Sequence, residues 1–410
     1  MKKNIGNIFF HKWIRISLFN LLLVSFVGVV LRYKIAFSLP IVDQKYLLNA
    51  HSHFAFSGWI SQILMALLVG YLNRQTNLSY KKYKWLLYGN LATAYGMLFS
   101  FPFQGYGTVS IIFSTLSIVV AYIFAVVYWK DLDKIKEKNI SHSWFKAALL
   151  FNAVSSLGAF ALSFLMANDV AGENWYLLAV YFFLHFQYNG WFFFACMGLF
   201  YSWLTGYNIQ LKQKRLIFWL FTPACVPAYF LSVLWLPMPV WIYVLIVLAA
   251  IAQVIGLILI IKSIIPHLKI FKEIIGIGRA LVSLSAVALS AKLLLQLGST
   301  IPSLSKLAFG FRPIVIGYLH LVLLGVITLF IIGFMVINSF INLNKLFRYG
   351  TIVFVSGIIV NEVLLMMQGI MGMNYKSIPY ISEMLLSAAI IMFSGLLILV
   401  WSQKSTPVRA

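Results

Sequence analysis

The chain has 410 residues, 62% of them hydrophobic and 10% charged, with a mean hydropathy of +0.93. A soluble domain is nearer a quarter charged, so composition excludes an ordinary soluble enzyme and points to a polytopic protein of the lipid bilayer. The net charge of +22 does not mark a nucleic-acid partner, because the lysines and arginines sit in short connections between apolar runs, where they set topology.

A spanning helix needs about 20 apolar residues. That ruler predicts an all-α bundle of about twelve transmembrane helices in one transmembrane domain, 1–410. The predicted spans are 14–33, 46–72, 84–102, 107–129, 144–167, 175–204, 216–236, 239–262, 278–298, 313–338, 349–372 and 380–402. The basic N-terminal stretch has no small-residue cleavage site after it, so it reads as a retained first helix. Cys196 and Cys225 fall inside apolar runs and read as free, buried thiols. Pro223, Pro227 and Pro237 predict a kinked seventh span. GIGRA at 276–280 reads as a glycine-bearing loop, and no period-matched internal repeat is evident.

The connections alternate in charge. Lys12 and Arg15 precede span one; Arg74, Lys81, Lys82 and Lys84 follow span two; Lys130, Lys134, Lys136 and Lys138 follow span four. The same holds after spans six, eight and ten, whereas the intervening connections are poor in lysine and arginine. Arg32, Lys34, Lys45, Lys306 and Arg312 are the main exceptions. The bias predicts that both termini are cytoplasmic.

Four of the seven histidines lie inside apolar runs. His51 and His53 open span two in HSHFAFSGW, His185 lies in LHFQYNGWFFF of span six, and His320 lies in YLHLVLLG of span ten. All three spans run from outside to inside. A rise of 1.5 Å per residue puts His51 and His53 roughly 8–11 Å below the outer end, His320 about 10 Å and His185 about 15 Å. Ionisable groups at that depth usually face a protein interior or bind something. His51 and His53 are two apart and point about 200° apart on a helix, so one of them at most serves a given ligand. His51, His53 and His320 are therefore candidate cofactor ligands, and His185 a candidate metal ligand. Against this stands the plain reading that each is a hydrogen-bonded packing residue. Other intramembrane polar groups are Glu362 beside Asn361 in span eleven and Lys292 in span nine. They form a pair, or Glu362 is neutral, or with Gln187 and Tyr188 they make a proton relay.

About twelve spans, cytoplasmic termini and histidines on spans two, six and ten resemble subunit I of the haem–copper oxidases. HSHFAFSGW also resembles the second helix of the NnrS family, and the three histidine segments together resemble a group of Bacteroidota membrane proteins sometimes labelled oxidase subunit I-like. The resemblance covers the whole chain by topology but only three short segments by motif. It implies a b-type haem held by His51 or His53 together with His320, with copper or another metal at His185. It also implies a quinol or a cytochrome as electron donor.

The departures are specific. Span seven has no histidine, so the paired copper ligands of the family are missing, and Tyr318 stands two residues before His320 where a second histidine is wanted. The His185 segment lacks the family's proline and glutamate. These differences argue against oxygen reduction. The expectation is a haem- or metal-binding redox protein. The alternatives are a proton-coupled transporter or channel using the intramembrane His and Glu residues, an NnrS-like accessory or sensor protein in nitric oxide or oxygen metabolism, and a bundle that keeps the fold with no cofactor.

Overall fold

The computed structural model describes residues 2–76, 81–168, 172–273, 276–305 and 311–403; Asp169, Lys306 and the basic residues after 403 lie outside them. Every regular element among the described residues is helical, and no strand occurs. Twelve long helices follow in order: α1 (Lys2–Ala36), α2 (Gln44–Gln75), α3 (Lys81–Gln104), α4 (Thr108–Asp133), α5 (Ile140–Ala167), α6 (173–206), α7 (Lys214–Cys225, continued by a 3₁₀ stretch Pro227–Val233), α8 (Val240–Ile264), α9 (Gly276–Gly298), α10 (Arg312–Ile337), α11 (Lys345–Met373) and α12 (Ile381–Ser402).

Each helix coincides with one of the twelve apolar runs, and most extend past them. The reason is that the 20-residue ruler measures the thickness of the apolar layer, while a helix continues until its chain offers a cap or a breaker. Asp43, Asn139 and Asn344 are such caps: their side-chain oxygens accept from the N–H groups of Tyr46 (2.8 Å), Ser141 (2.9 Å) and Phe347 (2.8 Å). The GIGRA segment is not a loop; α9 begins at Gly276.

Nine helices among the described residues are long and apolar enough to cross a membrane, and ten if bent α7 counts as one span. The two that fall short are α3 and α6. The first carries Asn90, Thr93, Pro102 and Gln104 in its last two-thirds, and the second carries His185, Gln187, Tyr188 and Asn189 near its middle. The kink predicted for the seventh span is a 46° bend. Pro227 has no N–H to continue the ladder, so the chain tightens to 3₁₀ geometry.

The chain divides into two compact units. Unit 1 comprises 1–135 and 338–410, with α1–α4, α11 and α12; unit 2 comprises 136–337, with α5–α10. Within unit 1, α2 is interior, with 94% of its apolar window buried, whereas α4 is peripheral at 11%. A buried carboxylate joins the neighbouring ends of α3 and α4: Asp131 accepts from the Tyr83 hydroxyl (2.7 Å) and pairs with Lys82 and Lys134. In unit 2 the interior is aromatic. Trp144 on α5 packs against Phe193, Phe194 and Tyr201 of α6 and against Phe218 and Phe221 of α7. Both cysteines are free and buried, as expected.

Candidate functional site

Three π-helical segments stand out among the described residues: Ala55–Ser61 in α2, Phe186–Phe192 in α6 and Leu321–Thr328 in α10. Each starts within two residues of a buried or half-buried histidine, namely His53, His185 and His320. Alignment on those histidines shows a shared pattern. His53-Phe54 is followed by Gly58-Trp59, His185-Phe186 by Gly190-Trp191, and His320 by Gly325, with glycine five residues after each histidine. The histidines lie 132 and 135 residues apart, on every fourth helix. The expectation that the chain holds no internal repeat is corrected at this level. The repeat is too short to see unless the histidines themselves are superposed.

A π turn inserts one residue and leaves backbone carbonyls without their usual helical donors. Here polar side chains of neighbouring helices supply donors. Asn20 of α1 donates to the Gly58 carbonyl (2.6 Å), and Asn90 of α3 donates to that of Ser57 (3.0 Å). Ser285 of α9 donates to the Val326 carbonyl (2.7 Å). In α6 the relation is reversed, since Gln187 of the π segment donates to Asn152 (2.9 Å) and Ser155 (2.7 Å) of α5. The glycines allow the close approach. A methyl group at Gly190 would lie 2.6 Å from Phe151 Cβ, and one at Gly325 would lie 3.1 Å from Ala288 Cβ.

The histidines themselves differ. In unit 1, His53 stacks on Phe101 (centroids 4.5 Å apart, planes at 17°), and its Nε2 is 3.1 Å from the Tyr106 hydroxyl. His51 lies beside Gly28 of α1, where a methyl group would come within 3.3 Å of its ring. In unit 2, His320 Nδ1 is 2.8 Å from the Ile316 carbonyl. A carbonyl only accepts, so in the neutral ring Nδ1 carries the proton and Nε2 holds the lone pair. His185 is arranged the other way. Its Nε2 donates to the Cys225 carbonyl at 2.8 Å, and its Nδ1 accepts from Asn189 Nδ2 at 3.1 Å. The Cys225 thiol in turn contacts the Asn189 carbonyl at 3.8 Å. The carbonyl that His185 takes up stands just before the Pro227 break of α7.

The remaining expected site residues distribute between the units. In unit 2, Gln187 belongs to the π segment, and buried Tyr188 hydrogen-bonds Ser232 and meets Tyr318 edge-on at 6.5 Å. Buried Lys292 of α9 has its ammonium 5.8 Å from the centre of the Phe193 ring and within Coulombic reach of Cys225 and His185. In unit 1, Glu362 accepts from Asn361 (3.0 Å) and is within Coulombic reach of Arg32 on α1. From the sequence Lys292 is the partner offered to Glu362, and Arg32 reads as an outer basic residue; in the structure Arg32 is the cation near Glu362. Two further partners of His185 carry no mark in the sequence: Asn189, one helical turn on, and Cys225, 40 residues away.

As a haem ligand, His320 fits the chemistry, because its proton is parked on a backbone carbonyl and its lone pair is on Nε2. His185 does not fit without breaking one of two hydrogen bonds. No group of three or more His, Cys, Asp or Glu side chains, the set a copper or zinc centre needs, is placed to hold a metal ion among the described residues. No protein-family model matches the chain, and comparison with curated proteins finds no match.

Proposed function

We propose that this chain is a twelve-span protein of a bacterial inner membrane, with cytoplasmic termini, that binds a b-type haem and transfers electrons rather than reducing oxygen. The observation that carries the reading is the recurrence of histidine beside a π segment on α2, α6 and α10, with His320 in the tautomer an iron ligand requires. π segments are rare and collect at functional sites. His320 is the first choice of ligand, and His51 and His53 are the candidates in unit 1. A bound haem would supply a one-electron couple. The protein's part is to hold the His320 ring by the bond to Ile316, which also raises the basicity of Nε2. The resemblance to haem–copper oxidase subunit I is in keeping with this role, and so is the missing copper set with no oxygen chemistry.

A second reading, a proton-coupled transporter, is favoured by Lys292. It is a buried lysine in a candidate span, and an intramembrane cation is costly unless it serves a pathway. The two readings separate on the purified protein. The haem reading predicts a Soret band that is lost in His320→Ala. A colourless protein with no metal by elemental analysis refutes it and leaves transport.

A further inference from the structure

The ends of α1, α2, α3, α4 and α11 that carry most of the basic residues of unit 1 converge on one face. Lys12 of α1 hydrogen-bonds Tyr88 of α3 (2.8 Å), Arg74 of α2 lies 4.8 Å over the ring of Phe340 just before α11, and Lys82 of α3 reaches Asp131 of α4. Nine described lysines and arginines of these helices, from Lys12 to Arg348, lie at those ends beside Asp131 and Asp133. The carboxylate of Asp131 is 1% exposed and already engaged by Lys82, Lys134 and Tyr83. At the opposite end of the unit Arg32, Lys34, Lys45 and Lys376 stand against Asp43 and Glu383.

The basic residues alternate with exposed aromatics. Trp85 (73% exposed) follows Lys84, Trp129 precedes Lys130, and Tyr349 (60% exposed) follows Arg348. Tryptophan and tyrosine prefer the headgroup layer, where an apolar ring and a polar edge are both satisfied. We propose that this end of unit 1 is a docking surface for anionic phospholipids. Lys81, Lys84 and Lys130 contact the phosphates, and the adjacent aromatic rings sit among the glycerol and upper acyl groups.

Native mass spectrometry of the full chain, in micelles doped with phosphatidylglycerol or phosphatidylcholine, tests this. The expected result is preferential retention of phosphatidylglycerol that weakens with added salt. It falls roughly fivefold for each of the three lysines changed in Lys81→Gln, Lys84→Gln and Lys130→Gln, each charge near the surface carrying about that factor. A Trp85→Ala/Trp129→Ala variant is expected to lose both lipids alike, because the rings do not read the headgroup. Gel filtration and thermal unfolding check that each variant is folded, and the single change Lys130→Gln serves if the triple one is not. Equal retention of the two lipids by the unaltered protein overturns the proposal. So does an unchanged preference in the lysine variants, or displacement of the lipid by inorganic phosphate, which would mark a phosphate site instead.

Discussion

His185 and His320 show how one residue type takes two roles at the same kind of helical position. Both precede a π segment, and both use a backbone carbonyl to fix a ring proton. The second nitrogen of His185 accepts from Asn189, so the ring ties the π segment of α6 to the proline break of α7. Replacing His185 by alanine is therefore expected to strand a buried carbonyl and an amide, at about 1–3 kcal/mol, and to lower the thermal midpoint while leaving any haem spectrum intact. A lost spectrum with unchanged stability would assign His185 to the cofactor after all. The sequence located both histidines but not this difference, because tautomers are set by partners that are distant in the chain or a helical turn away. Asp131 was invisible for the same reason: it looks like one more charge near a loop. Asp131→Ala is expected to cost about 1–3 kcal/mol, since it removes the acceptor shared by Tyr83, Lys82 and Lys134. An unaltered melting curve would show the cluster to be dispensable.

At the scale of helices, hydropathy reveals existence and hides irregularity. All twelve runs are helical, because about 20 apolar residues dominate any local preference. The π segments leave no trace in hydropathy, since one inserted residue changes neither length nor composition appreciably. Their only sequence mark is the histidine–glycine spacing. That glycine is required where α5 and α6 touch: a branched side chain at Gly190 meets Phe151 Cβ. Gly190→Val is expected to destabilise unit 2 by about 1–3 kcal/mol or more through overpacking. Gly276→Ala, at the start of α9 with open space around it, is expected to change stability by less than about 1 kcal/mol. Equal effects in thermal unfolding would remove the packing argument for the glycine.

For the whole molecule, charge patterning and histidine spacing carry different information. The lysine-rich connections predict which ends of the helices face the cytoplasm, and that prediction needs no knowledge of packing. Both native cysteines are buried, so single added cysteines can report sidedness. Lys138→Cys, beyond α4, is expected to react with an impermeant maleimide only from the cytoplasmic side, and Gln104→Cys, at the end of α3, only from the outside. Reversed labelling would invert the topology, and labelling of both positions from one side would remove a span between them. The histidine pattern, in contrast, makes a chemical claim that packing alone does not decide.

That claim is tested most directly by haem content, measured as the pyridine haemochrome of the purified protein beside its His320→Ala and His185→Ala variants. The account predicts b-type haem in the parent and in His185→Ala, and its loss from His320→Ala. Haem missing from the parent, or lost with His185 but kept without His320, would contradict it.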